Sequence, residues 1–498
     1  MSPRPRTRPT KRCSAVRTAC GCLALTALAC TDPTTGDELR YFAIVPDSMT
    51  GWVDDTVELK VTSDSAMGVG GPWNLTWTVA DPAVAVFTET GDDGARLLVR
   101  GSGTTVVTAR AGALTEEAQV TGINEGDLLS FYTVGEKAWV HSPALDGEGN
   151  VYLLPYPDPT VLALDDALSF RWEQPRPASL AVMSPAVGAD GNPYFSARSY
   201  TRSYSPDGTL LWEDTTHGGG ETSPAIGPGG LMYVAGRPFP GPLEGWAIAA
   251  YDAAGAQVFR TPAFGNTIRG VTVVADSVVV GTDLGGRAFG LTLSGAVLWV
   301  DTLPSLVGFF QPSVGADGRT IYLPGWSHVV ATDALTGERR WVWDVRGPPP
   351  LTPIVDRDGV LYVQTRETAL TALNPDGTVK WSADSLGGKH HLNAGGAPAL
   401  AEGGVLYVAC GTDLCAVRTG DGSVRWRRPL PFPGIAGPIM IAPDSSIVFI
   451  TLAYNINIGY DSARVVRLRG RFPLADAPWP VDGGNPRRTR RAPWPPLD

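Results

Sequence analysis

The sequence predicts an all-β chain in which a small β-sandwich precedes an eight-bladed β-propeller, with seven blades as the fallback. A phrase ending in an aromatic residue recurs between residues 139 and 470, most plainly at Ala331-Thr332-Asp333-Ala334-Leu335-Thr336-Gly337-Glu338-Arg339-Arg340-Trp341. Its period is that of four short strands with turns, the content of one propeller blade. Residues 39–122 lack this phrase and read as short alternating strands, the pattern of a half-buried sandwich.

Each repeat opens with Ser/Thr-Pro-Ala-Val, passes a Val/Leu-Tyr-Val strand and a Leu-x-Ala-Leu-Asp strand, and closes on a Gly turn and an aromatic residue. The closing residues are Trp172, Trp212, Phe259, Trp299, Trp341, Trp381 and Trp426, spaced 40, 47, 40, 42, 40 and 45 apart. Pro143, Pro185, Pro224, Pro312, Pro353, Pro398 and Pro438 open the units, and Gly270-Val271-Thr272 fills the one place without proline. The unit from Pro438 has no Gly-x-x-x-Trp strand. A ring must hide its end edges, so the apolar run Leu128 to Val134 is assigned as the strand that completes it. Asp-Gly pairs such as Asp358-Gly359 and Asp376-Gly377 suit tight hairpins, because glycine adopts positive φ without steric cost. Each tryptophan can bury roughly 200 Å², about 5 kcal/mol gross at about 25 cal/mol per Å² before ordering entropy is subtracted. The tryptophans are therefore expected to clamp neighbouring blades.

This repeat resembles the pyrroloquinoline-quinone-type propeller family, whose tryptophan-docking phrase Ala331 to Trp341 matches position for position. Ala372-Leu373-Asn374 to Trp381 is one residue shorter, and Ala416-Val417-Arg418 to Trp426 lacks the acid. Trp479-Pro480 through Asn485-Pro486-Arg487-Arg488-Thr489 is similar to a segment that often flanks such propellers. The resemblance covers about two-thirds of the chain. It implies a binding platform, and fold alone does not choose its ligand.

Residues 1–29 hold Arg4, Arg6, Arg8, Lys11, Arg12 and Arg17, no acid, and the apolar stretch Leu23 to Ala29, which reads as a signal peptide too short to span a membrane. Ala27-Leu28-Ala29-Cys30 serves two readings: Ala-x-Ala suits ordinary cleavage, and a small residue before cysteine resembles a lipobox. Without the signal the chain keeps Cys30, Cys410 and Cys415. Cys410 and Cys415 flank a hairpin turn and are expected to pair, which leaves Cys30 for lipid attachment. If Cys30 is not lipidated, the protein is secreted. Removing six cations from 40 Lys+Arg leaves 34 against 50 Asp+Glu, a charge near −16, which argues against nucleic acid and against direct contact with anionic lipid. Arg487, Arg488, Arg490 and Arg491 are the local exception, read as a solvated tail or blade-closing segment, with docking of an acidic partner as the alternative.

Residues 30–38 are a tether. In 39–122, the strand Trp73 to Val79, the phrase Asp81-Pro82-Ala83-Val84-Ala85-Val86 and the strand Gly101-Ser102-Gly103-Thr104-Thr105-Val106-Val107-Thr108-Ala109 resemble, in that order, the bacterial immunoglobulin-like domain, more often a spacer or adhesive module than a catalyst. The propeller is assigned to 126–490.

Quinone dehydrogenases of the resembled family usually carry adjacent cysteines and a calcium-holding carboxylate and amide cluster. No adjacent cysteine pair stands after residue 29, and neither nucleophile elbow, zinc signature nor phosphate loop is found. No catalytic, metal or cofactor residue is assigned, and no cofactor is expected. The remaining candidates are loop residues around the central funnel: His217, Phe309, Phe310, His390, His391 and Phe432. His390 and His391 cannot both face one metal from a regular strand. The sequence thus points to a non-catalytic cell-envelope scaffold that binds a protein, with a glycan- or peptide-binding adhesin and a quinone-dependent oxidoreductase as alternatives.

Overall fold

The computed structural model describes residues 41–63, 73–136, 140, 142–176, 184–197, 200–218, 223–238, 245–264, 266–304, 311–345, 350–365, 370–383, 386, 396–430, 432, 434–455, 459–485 and 487–492. The chain divides into two compact units at Gly122 and Ile123.

The first unit packs two four-stranded antiparallel sheets. One runs Phe42–Val45, Thr56–Ser63, Gly94–Val99, Ala85–Thr90, and the other Ser48–Trp52, Leu114–Ile123, Gly103–Ala111, Thr76–Val79. Strict alternation drives this: in Thr56–Ser63, Val57, Leu59 and Val61 are buried while their neighbours face water, and they join Leu97, Val99, Val107 and Val120 in one core. Trp77 spans the edge by donating its indole N–H to the Gly91 carbonyl at 3.0 Å.

The second unit is a β-propeller. Among the described residues, eight antiparallel sheets follow one another in chain order. The first sets Ala144–Leu145, Val151–Leu153, Thr160–Leu164 and Phe170–Pro175 side by side in sequence order, and six further sheets repeat this over 186–214, 217–260, 268–302, 313–344, 354–383 and 399–429. The last joins Met440–Ile441, Ile447–Asn455 and Gly459–Leu468 to Leu128–Glu136. The middle strands are wholly buried, as in Leu361–Gln364 and Val405–Cys410, because neighbouring sheets cover both faces.

One contact repeats around the unit. The closing indole of each sheet lies against the turn glycine of the next sheet. Trp172 meets Gly208, Trp212 meets Gly255, Trp299 meets Gly337, Trp341 meets Gly377 and Trp381 meets Gly422. A methyl group on Gly337 would stand 2.7 Å from Trp299 Cδ2, and its φ of +75° already favours glycine. The indole N–H groups of Trp172, Trp299, Trp341 and Trp381 donate to the carbonyls of Pro206, Ala334, Pro375 and Thr419 in the same turns, each at 2.8 Å. Phe259 takes this place under Gly295 without a donor. Trp426 meets Gly126, which precedes the first sheet in the same unit, since the turn of the last sheet is built from two segments held by Gly126 N–H to Arg469 O at 2.7 Å and Arg469 N–H to Asp127 O at 2.7 Å.

The last sheet has no indole. Ser130, opposite Arg467, occupies the tryptophan register. The corresponding turn of the first sheet carries Leu168 instead of glycine, with φ +65°. Its side chain is buried in the same core as Val465, Val466 and Leu468. A leucine thus fills the volume that an indole fills elsewhere, at a backbone cost of about 1–2 kcal/mol.

Cys410 and Cys415 form a disulfide with Cα atoms 6.0 Å apart. They are diagonal in the hairpin, Cys410 facing Asp413 and Cys415 facing Val408, because the two-residue turn Gly411-Thr412 sets the register.

Gly337→Ala should cost about 2–4 kcal/mol through positive φ and overpacking, and Trp299→Ala about 3–5 kcal/mol. Chemical denaturation of the single and double variants checks this, and the double should cost less than the sum, because both changes remove one contact.

Candidate functional site

The innermost strands of a propeller converge on a channel and turn one backbone edge towards it. Those N–H groups need acceptors once water is thinned out. Here the C-terminal segment provides them. The amides of Val355 and Leu400 donate to the carbonyls of Trp479 and Pro480 at 2.9 and 2.7 Å, and those of Val187, Ile226 and Val273 donate to Arg487, Thr489 and Arg490 at 2.8, 2.7 and 2.8 Å. Residues 491–492 then pair in parallel with Val273 and Val274. One segment therefore ties the inner strands of the second, third, fourth, sixth and seventh sheets.

Its side chains sort by alternation. Arg487 and Thr489 line a cleft of about 570 Å³ together with Asp146, Ile226, Pro443 and Leu474, whereas Arg488 and Arg490 are 2% and 1% exposed. Trp479 is fully buried. Arg488 Nη2 donates to Asp482 Oδ2 at 2.7 Å and Nη1 to the Asp482 carbonyl at 3.3 Å. Burial pushes the Asp482 carboxyl up, but the guanidinium groups of Arg488 and Arg490 more than offset this and hold it below the usual range. In the cleft, Asp146 is spent on its own turn: it accepts from the Asn150 amide at 2.9 Å, Asn150 Nδ2 at 2.7 Å and the Tyr152 hydroxyl at 3.1 Å. Of the two readings of the arginine run, solvated tail or blade-closing segment, its backbone follows the second, bonding the inner strands, and two of its side chains are interior. The sequence carries no alternation that signals it: all four residues from Arg487 to Arg490 are polar, and Arg488 and Arg490 take positive φ of +56° and +51°.

The candidate residues separate. His217 lies on the short strand His217–Gly218, paired to Met232–Pro238, and is 0% exposed. It is a buried residue, not an open mouth contact, because Gly-rich surroundings conceal a strand in the sequence. Burial first, then the charge of Arg260, pushes its imidazole down to about 4, so it is neutral near pH 7. Its approach to the Val234 backbone falls outside hydrogen-bond geometry, and neither ring nitrogen has a partner. Phe432 is half-buried, edge-on to Phe131 with centroids 4.8 Å apart and with the Arg464 guanidinium 4.5 Å from its ring. The structure does not bring His217 and Phe432 together through any contact. Phe309, Phe310, His390, His391 and Cys30 lie outside the described residues. Among the described residues, no group of three or more His, Cys, Asp or Glu is placed to hold a metal ion, and no helix is long and apolar enough to cross a membrane.

The sequence matches the family model described as outer membrane protein assembly factor BamB over residues 197–349 and 291–448, which together run over half of the chain. A curated relative, the quinoprotein alcohol dehydrogenase PedH of Pseudomonas putida, is 31% identical over 135 residues, 24% of this chain and 22% of the relative. The chain thus matches about a fifth of that relative's length. Among solved structures, BamB from Moraxella catarrhalis superposes with a TM-score of 0.50 at 13% identity, over 69% of this chain and 99% of its own. A europium-containing methanol dehydrogenase gives 0.52 at 11% identity over 69% and 93%, and the computationally designed Ika8 protein 0.51 at 13% over 68% and 99%. At such identities these likenesses speak to the fold alone.

Truncation after Gly470 should unfold the propeller or lower its Tm by more than 10 °C, since five inner strands lose acceptors and each buried unmet amide costs about 1–3 kcal/mol; calorimetry of the shortened chain measures it. A second expectation concerns pH. The folded His217 pKa is depressed, so the unfolded chain binds the extra proton between about 6.5 and 4, and stability falls as pH is lowered through that window by on the order of 3 kcal/mol. His217→Gln should remove that part of the slope in denaturation curves.

Proposed function

From the premise that the chain belongs to the pyrroloquinoline-quinone-like propeller family whose model is described as outer membrane protein assembly factor BamB, we propose that it is a non-catalytic, protein-binding scaffold of the cell envelope. The observation that carries this reading is the C-terminal segment: it ties the inner strands of five sheets, so that recognition falls to loops joining each outer strand to the next inner one. In sequence those loops contain Phe309 and Phe310, between Val297–Thr302 and Ser313–Val314, and His390 and His391, between Val379–Ala383 and Ala399–Ala401. Aromatic side chains there suit a polypeptide partner, since they carry much contact area at low entropic cost. Phe432, pinned by Phe131 and Arg464, adds a preorganised ring. Cys30 is the lipid anchor, residues 30–38 the tether, and 39–122 an immunoglobulin-like spacer ahead of the propeller at 126–490.

A quinone oxidoreductase is the second reading, favoured by the 31% identity to a quinoprotein dehydrogenase. The donor set does not fit it: the described residues offer no metal-holding cluster, and Cys410 and Cys415 sit in a hairpin of buried strands, four residues apart in the chain between them. A surface adhesin remains the reading if the partner is a glycan.

Titration of residues 31–498 with pyrroloquinoline quinone and calcium, followed by absorbance and calorimetry, separates these readings. The scaffold predicts no saturable uptake by folded protein, and binding near one equivalent would overturn it.

A further inference from the structure

The buried end of the C-terminal segment carries more positive charge than the protein around it neutralises. Arg488, Arg490 and Asp482 form one cluster: Arg488 is paired to Asp482 at 2.7 Å, and both guanidinium groups act on the same carboxylate. All three are more than nine-tenths buried. Two cations face one anion, and one positive charge is left over.

That excess resides on Arg490. Its Nε and Nη1 have no hydrogen-bond partner, Arg488 Nε has none either, and Asp482 Oδ1 is also without one, so three donors stand against one unmet acceptor. Burial, reinforced by the Arg488 charge and opposed by Asp482, pushes the Arg490 guanidinium down to about 9, which leaves it charged near neutrality. The backbone permits no retreat, because the Arg490 carbonyl is held by the Val273 amide at 2.8 Å and its own amide donates to Gly483 O at 2.9 Å. An isolated buried cation is costly unless it is paired and hydrogen-bonded. A second carboxylate would be the ordinary remedy, and among the described residues none is paired with Arg490. The unmet donors are N–H groups on a cation, which select an acceptor of negative charge.

We propose that Arg490 holds one small monovalent anion inside the propeller, which neutralises the Asp482–Arg488–Arg490 cluster and fastens the C-terminal segment to the inner strands. The anion accepts from Arg490 Nε or Nη1. It is a site for a halide-sized ion, bound by charge and N–H donors in a place from which bulk water is largely excluded. This site does not depend on the protein-binding role of the loops, so either can fail alone.

The test uses residues 31–498 with bromide as the probe. Tm is measured against bromide at constant ionic strength maintained with gluconate, an anion too large for the interior. Saturable stabilisation, a rise of roughly 3 °C, is expected, together with an anomalous-scattering peak in hydrogen-bond reach of the Arg490 guanidinium in crystals containing bromide. Arg490→Met should abolish both while circular dichroism stays that of a β protein. If that variant does not fold, the wild-type titration and the bromide map decide by themselves. A Tm indifferent to bromide, or a map with ordered water and no anomalous peak at Arg490, overturns the proposal.

Discussion

The propeller depends on an indole lying flat on a glycine. The contact links two sheets with no hydrogen-bonded ladder between them, and it does so twice over: the ring needs a position with no Cβ, and its N–H needs a carbonyl from the same turn. Trp299, Gly337 and Ala334 O meet all of this at once, so neither the strand nor the turn can change alone. Where the donor is lost, as with Phe259, the packing persists without the polar link. Where the ring itself is lost, at Ser130, the glycine is lost as well, and Leu168 enters at positive φ. Volume is conserved across the interface even though chemistry is not, as close packing of interiors requires.

The second constraint lies at the centre. Radial strands leave an unpaired edge facing the channel, and a propeller whose inner amides faced nothing would forfeit several hydrogen bonds. The segment from Trp479 to Ala492 meets this with its carbonyls, and the positive φ of Arg488 and Arg490, +56° and +51°, goes with their burial. Arginine is an expensive residue to place there, and Asp482 recovers part of the cost through Arg488.

The repeat was legible because an indole every forty or so residues has no cheaper explanation, and the apolar run Leu128 to Val134 was legible as a strand because the unit from Pro438 lacks its own outer strand and a ring must hide its edges. Leu168 was not legible. A leucine in an Asp-Asp-Ala-Leu-Ser turn announces nothing until Ser130, opposite Arg467, is known to hold the tryptophan register of the last sheet. The arginine run was legible as a blade-closing segment but not as an interior one: charge reads as solvent exposure in one dimension, and the burial of Arg488 and Arg490 appears only once the backbone of the run is bonded to Val187, Ile226 and Val273. For the cysteines, spacing showed that they could meet, while the diagonal register came from the Gly411-Thr412 turn.

The last sheet has a consequence for biogenesis. Its outer strand, Leu128–Glu136, leaves the ribosome before any other part of the propeller, and its three partners, ending with Gly459–Leu468, leave nearly last. During vectorial synthesis the first-made strand has no mate, while each new sheet adds one more exposed flank. The molecule behaves as a bracelet whose clasp is split between its two ends. Pairings so distant in sequence form slowly, and an unclasped intermediate offers strand edges to its neighbours.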